Sequence, residues 1–367
     1  MKEKSAALYS EYIIDGIPQT LTPARMLESV CACKKESAGE FEPIVDETVD
    51  PVFKALEFDS SLVGDYLRKT ASAKERRSFP AAFSPSLTKC AVAKALIDAI
   101  WRKGHFCLDD LALSAKWKWD MDKIGSMASF YASVEAAAEY IDSLGLGLAS
   151  YDVERSRGNR VEFSVLLDPE KLPYSSEEPV LGGGRAIPDA LCSDKDSWII
   201  YIPFESCEPR LGGSVLAEQM KASGGIPLDI GDADYFMDCY EVVREIVEDR
   251  VAISGTTVCP GGLLTALKKM TGLRTGARID LSGLISATGE KDIVRLLFAE
   301  TPGAIIQIRD IDYDYVEAEL LLQDVVFYPL GHPKSGNSDI EIAASDKTGL
   351  QTILESLINS QSSEGED

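Results

Sequence analysis

Apolar positions recur at helical spacing in two segments of the first half of the chain. Cys90, Ala93, Ile97, Ile100 and Trp101 predict a helix over 87–102, with Gly104 just beyond it as a stop. Met127, Phe130, Tyr131, Val134, Ala137, Ala138, Ile141 and Leu144 keep the same spacing over 126–144, and Gly145 closes that helix. Beyond it, 146–154 and 160–167 read as strands. The turn-rich Ser156-Arg157-Gly158-Asn159 between them predicts a hairpin.

Residues 168–196 then lose periodicity. They collect Pro169, Pro173, Pro179, Pro188 and the run Gly182-Gly183-Gly184, which marks the best domain boundary. The second half alternates. Strands are expected at 198–204, 251–254, 277–281, 304–309 and 324–328. Gly212-Gly213-Ser214 opens a helix through Met220, a second helix covers 234–247, and Gly261-Gly262 opens a third over 263–270. The pattern predicts an α+β protein: two α/β sandwich domains with mixed or antiparallel sheets covered by helices. The expected parts are a polar arm over 1–40, a first domain over 41–175 and a second over 176–345. A terminal helix and acidic tail follow over 346–367.

Composition narrows the function classes. The 367 residues carry a formal net charge of −23, with 45% hydrophobic and 26% charged residues, as in ordinary globular chains. Such a charge repels nucleic acid and anionic membranes, so neither is an expected partner. No apolar run approaches the roughly 20 residues of a membrane span. The N-terminus lacks a signal-like apolar core, and the eight cysteines read as reduced thiols, so the cytoplasm is the expected location.

The two glycine-led helix starts are the most informative local chemistry. A helix N-terminus offers unpaired N–H groups, and glycine lets an anion approach the backbone. Gly212, Gly213 and Ser214, with Gly261 and Gly262, are therefore candidates to hold a phosphorylated small molecule. The plainer reading, that Gly and Ser merely shape strand-to-helix turns, stands beside it. Only two histidines occur, His105 and His332, which excludes a multi-histidine metal site; His332 reads as a loop residue. Cys31-Ala32-Cys33 has no second ligand pair, and Lys74-Glu75-Arg76-Arg77 reads as a solvated turn.

Leu211-Gly212-Gly213-Ser214-Val215-Leu216-Ala217 resembles the LGGS segment of phosphoribosylformylglycinamidine synthases. Gly225-Ile226-Pro227-Leu228-Asp229 follows where that family has a similar Pro-x-x-Asp. Val251-Ala252-Ile253-Ser254 and Gly261-Gly262-Leu263-Leu264-Thr265-Ala266-Leu267 are similar to its strand and helix. Gly276-Ala277-Arg278-Ile279-Asp280-Leu281 and Leu297-Phe298-Ala299-Glu300-Thr301-Pro302-Gly303 match its next two segments in order. The match points to the C-terminal α/β domain of the aminoimidazole ribonucleotide synthase-like superfamily; the first half is similar only in outline. The resemblance implies ATP with Mg²⁺, a homodimer that completes a β-barrel, and a reaction of purine biosynthesis. In that reaction ATP phosphorylates an amide oxygen and a nitrogen nucleophile displaces the phosphate, so an active member is a carbon–nitrogen ligase. The resemblance also falls on Glu300, read either as a turn-stabilising carboxylate or as a site residue.

The chain departs from the family at a central point. The synthases have His-Asp-x-Ser-Asp just before Gly-Gly-Leu, where this chain has Thr256-Thr257-Val258-Cys259-Pro260. Thr256 and Thr257 can still hydrogen-bond an anion, but they cannot replace an acid–base pair or metal ligands. Cys259 sits at a glycine-led helix start without a base nearby in sequence. The family's Asp-Gly turn followed by Lys is also missing; Asp109 and Asp110, the nearest acidic candidates, read better as a cap or a solvated strand edge. No catalytic base or metal ligand is assigned. Two readings stand: an ATP-dependent ligase, or an inactive relative that binds a nucleotide or sugar phosphate or serves as a structural subunit.

Overall fold

The computed structural model describes residues 5–31, 78–104, 106–167, 182–219, 225–228, 230–258 and 260–343. His105, Cys33, Lys74 to Arg77, Asp229, Cys259 and the terminal segment 346–367 lie outside them. A short ribbon, β1 (Ile13–Ile14) with β2 (Ile17–Pro18), precedes the helix Pro23–Ser29.

The first unit is built on β4 (Leu111–Trp119), a strand missing from the expectations above. Leu111, Leu113, Ala115, Trp117 and Trp119 point inward and are buried, while Ser114, Lys116 and Lys118 alternate outward. This period-2 pattern specifies a strand with one covered face. The helices Ser84–Ile100 and Ser126–Ser143 cover that face. Trp117 donates its indole N–H to Ser133 Oγ at 3.0 Å, and Trp119 donates to the Ser126 carbonyl at 2.8 Å. Each buried indole thus has an acceptor, as burial requires.

The expected hairpin is corrected. β5 (Gly147–Arg155) and β6 (Arg160–Leu167) do not pair with each other; they flank β4 in the order β5-β4-β6, with β5 parallel and β6 antiparallel to it. The turn between them wraps the end of β4 instead. Ser156 N–H donates to the Trp119 carbonyl at 2.8 Å, and Asn159 Oδ1 accepts from Asp120 N–H at 3.0 Å. β4 competes successfully for both strands because its alternation is the strongest in the unit and its indoles fill the core. On the outer face Lys116 pairs with Glu154 at 2.8 Å and Lys118 with Glu162 at 2.7 Å.

The second unit is a six-stranded sheet of β8 (Trp198–Pro203), β9 (Ala252–Thr257), β10 (Thr275–Asp280), β11 (Gly303–Ile308), β12 (Tyr328–Ser335) and β13 (Ile340–Ala343). The order is β13-β10-β12-β8-β11-β9, and every pairing is antiparallel except β10 with β13. Ile199, Tyr201, Ile305, Ala277 and Ile279 face the helices Gly262–Met270, Ser282–Thr288 and Ile293–Phe298. Ile200, Ile202, Ile306 and Ile308 face the helices Ala233–Glu248 and Tyr313–Leu322, and share one core with the helix Ser84–Ile100 of the first unit. The fold is α+β, with mixed and antiparallel sheets covered by helices, as expected.

Two further expectations are corrected. The strand expected at 324–328 begins only at Tyr328 and runs to Ser335, because Asp324 takes a left-handed φ of 53° and keeps the preceding segment out of the sheet. Pro329, Gly331 and Pro333 hide this strand in the sequence; the pairing with β8 shifts register between Pro329 and Gly331, a place where a missing N–H is tolerated. His332 therefore lies in a strand rather than a loop. Its Nδ1 is 2.9 Å from the Ser197 carbonyl and its ring is 4.1 Å from that of Trp198. The run Gly182-Gly183-Gly184 belongs to β7 (Gly182–Arg185), paired antiparallel with β3 (Arg102–Lys103). Among the described residues, no helix is long and apolar enough to cross a membrane.

Candidate functional site

Six of the eight residues singled out above for ligand binding gather at one corner of the second unit, where β11 begins and two helices start. The helix Ile293–Phe298 ends at Ala299, whose extended backbone turns the chain so that Glu300 points back across both helix starts. Glu300 Oε1 accepts the N–H of Val215 at 2.7 Å and the N–H of Gly261 at 2.9 Å. Val215 is the first residue of the helix Val215–Gln219, and Gly261 is the N-cap of the helix Gly262–Met270. One carboxylate oxygen thus joins the two glycine-led starts, and the partial positive charge of a helix N-terminus favours a negative group there.

The glycines fit this arrangement closely. Gly262 has φ +76°, and a Cβ on it would lie 2.7 Å from the Leu297 carbonyl oxygen and the Phe298 Cα. Gly212 bridges to Pro227, and a Cβ there would lie 2.2 Å from the Ile226 oxygen. Gly213, at φ +74°, lies against Phe83 of the first unit, 2.9 Å from where its Cβ would be. The expectation that the amides of 212–214 stand open is corrected at two positions. Gly212 N–H donates to the Ile226 carbonyl at 3.0 Å, and Ser214 N–H donates to the Leu211 carbonyl at 3.0 Å. Ser214 is buried, and its hydroxyl oxygen accepts the N–H of Ala217 at 3.1 Å, an N-cap contact.

Thr256 and Thr257 lie in β9, which extends three residues past the expected end, and both are buried. Neighbouring strand residues point to opposite faces, so the two separate. Thr256 meets the helix Gly262–Met270, where Lys269 Nζ donates to its hydroxyl at 3.4 Å. Thr257 faces the first unit. Its hydroxyl donates to Asp98 Oδ1 at 2.6 Å and accepts the indole N–H of Trp101 at 2.8 Å. Lys94 pairs with the other oxygen of Asp98 at 2.6 Å.

Asp98 and Trp101 were missed as partners of Thr257 because each reads locally as an ordinary helix position. Trp101 is nearly fully buried, and the Arg185 guanidinium lies 5.6 Å from its ring centroid. Gly255 carries no side chain because Trp101 fills that space: a Cβ would lie 2.6 Å from the ring. Asp110 acts as a cap, accepting Cys107 N–H at 3.2 Å, in line with the plainer of its two readings.

The chain and its fold resemble known proteins. No protein-family model matches the chain. A probable phosphoribosylformylglycinamidine synthase of Arabidopsis thaliana is 23% identical over 249 residues, covering 67% of this chain and 17% of that protein. The phosphoribosylformylglycinamidine synthase of Homo sapiens is 24% identical over 226 residues, covering 61% of this chain and 16% of that one. The chain therefore spans about a sixth of the length of these relatives. Among solved structures, PurLQS of Thermotoga maritima superposes with a TM-score of 0.50 at 13% identity, covering 75% of this chain and 42% of that chain. T. maritima PurL complexed with FGAR gives 0.51 at 11% identity, covering 75% and 44%.

Proposed function

We propose that this chain, related in sequence to phosphoribosylformylglycinamidine synthases and built on the aminoimidazole ribonucleotide synthase-like fold, is a non-catalytic relative that serves purine biosynthesis as a structural subunit. The observation that carries this reading is Glu300. The corner where a ligand oxyanion was expected holds the chain's own carboxylate, bonded to Val215 and Gly261. A phosphate arriving there would meet a like charge and two donors already engaged.

The strand end before that corner supports the same reading. Where the synthases carry His-Asp-x-Ser-Asp, Thr256 is buried and the Thr257 hydroxyl is shared between Asp98 and Trp101. Neutral hydroxyls cannot take up a proton at neutral pH or replace the carboxylates that hold a hard divalent cation. The Mg²⁺ implied by the resemblance does not fit these residues. Gly212, Gly213, Ser214, Gly261, Gly262 and Glu300 instead make a structural corner. The homodimer implied by the resemblance and the cytoplasmic location belong to the same proposal.

The test is turnover. Purified chain supplied with ATP, Mg²⁺, formylglycinamide ribonucleotide and ammonia is expected to release no ADP above a substrate-free control. ADP release that requires both the ribonucleotide and ammonia would restore the ligase reading, which rests on the order of the motifs and the likeness to the synthases.

A further inference from the structure

The helix Tyr313–Leu322 is apolar on two sides. Val316 and Leu320 turn inward and are fully buried in the core shared by the two units. Tyr315, Ala318 and Leu322 recur at i, i+3 and i+7, a spacing that places them on one face. All three are exposed, Tyr315 by 46% and Leu322 by 78%. Ile311, 85% exposed, extends this stripe just before the helix, and exposed Leu321 widens it. Single exposed apolar residues are ordinary on a protein surface, whereas a contiguous row of them marks a contact face. A surface helix with only the sheet to cover would carry polar residues here.

The charge around the stripe is of one sign. The helix carries Asp314, Glu317 and Glu319 and no Lys or Arg. By the helical repeat, Asp314 borders the stripe on one side and Glu319 on the other. The neighbouring helix Ala233–Glu248 and its C-cap bring Glu245 and Asp249 close to the same place. The Tyr315 phenol is held above its ordinary value, first by desolvation and then by Glu319, Asp249 and Glu245. Arg244 is taken up by Glu241 at 2.7 Å and Glu248 at 2.6 Å, and Arg309 by Asp312 at 3.4 Å. The outcome is an apolar ridge with an acidic rim.

These two features define what the face would accept. A second copy would set the same carboxylates against one another, in a chain whose net charge of −23 already resists self-association. A ridge of i, i+3 and i+7 positions packs against another helix, and an acidic rim selects cations at that helix's flanks. We propose that the outward face of the helix Tyr313–Leu322 docks an amphipathic helix of a different protein, whose apolar stripe is flanked by Lys and Arg. This rests on the structural role proposed above and gives a non-catalytic subunit the surface by which it joins its assembly.

The test titrates the full chain into fluorophore-labelled synthetic peptides of about 18 residues, long enough to hold a helix. One carries leucines at helical spacing with Lys flanks, a second scrambles the same residues, and a third keeps the stripe but has Glu flanks. Saturable binding of the first is expected by fluorescence anisotropy, with the other two at least roughly tenfold weaker. Leu322→Glu should weaken the first roughly tenfold although it adds a negative charge. Leu273→Glu, the same change at an exposed loop leucine, should leave it unchanged. Equal binding of the scrambled peptide, or equal loss in both variants, would reduce the effect to net charge and overturn the site; so would absence of binding. Self-association of the wild type in sedimentation that Leu322→Glu abolishes would assign the face to a second copy instead. Tighter peptide binding in Leu354→Glu would assign it to the chain's own terminal segment. Turnover is measured separately, so a failed titration strikes this face and leaves the structural role standing.

Discussion

Replacing Glu300 with alanine is expected to lower the unfolding free energy by about 3 kcal/mol, from the lost charge-assisted bonds and the two donors left behind. The Val215 and Gly261 amides would lose their shared acceptor at the starts of two helices. In thermal unfolding this corresponds to a fall in Tm of about 6–12 °C for a unit of this size. Glu300→Gln keeps an oxygen in place but removes the charge, and should lose about 1 kcal/mol. The informative part is rescue. With the carboxylate gone, the paired helix starts become an anion site, so added acetate or phosphate should restore part of the alanine variant's Tm and leave the wild type unmoved. Equal response of both chains would show that Glu300 does not occupy the corner.

Trp101→Ala carries the largest expected effect, about 4 kcal/mol, in the range found for a buried tryptophan truncated to alanine. Three contacts fail together. The indole leaves the space that keeps Gly255 bare, Thr257 loses a donor, and Arg185 loses the ring beneath it. Because the apolar face of the helix Ser84–Ile100 shares one core with Ile200, Ile202 and Ile306, the loss should be felt by both units. Urea unfolding should therefore stay a single transition moved to lower denaturant. Thr257→Val, which removes the hydroxyl and keeps the shape, should lose only about 1–2 kcal/mol. Two separated transitions, with only one displaced by Trp101→Ala, would contradict the shared core.

Much of the second unit was legible in the chain because its signals are local. The helix around Leu263 to Met270 announces itself by glycine punctuation and period, and the buried strands at 198–203 and 303–308 by short apolar runs. The helix at 126–143 is equally plain from its apolar stripe. What escaped was set by partners distant in sequence. β4 alternates as cleanly as any strand, yet the turn at 156–159 suggested pairing between its two neighbours; only the competing strand shows that the turn goes around it. β12 was masked by two prolines and a glycine that its pairing with β8 tolerates.

The corner shows the same limit at the level of chemistry. Gly212, Gly213, Gly261 and Gly262, singled out as candidates to hold a phosphorylated molecule, are special backbone positions: three adopt positive φ and two press against other backbone. Sequence could not say whether the anion at those helix starts comes from a ligand or from the chain. Glu300 lies far from Val215 along the chain, and only folding brings its oxygen to the amide. Thr256 and Thr257 separate for a simpler reason: a strand that ends three residues later than expected sends adjacent hydroxyls to opposite faces. The pairing of β3 with β7 was invisible because the run of glycines read as a linker.

The most direct measurement is the amide spectrum of the deuterated, ¹⁵N-labelled chain and of its Glu300→Gln variant, each with and without added phosphate. If one oxygen of Glu300 caps both helices, the amide protons of Val215 and Gly261 will be displaced together in Glu300→Gln and will ignore phosphate in the wild type. Resonances that ignore the substitution and move instead when phosphate is added to the wild type would mean that the corner is open to an outside anion.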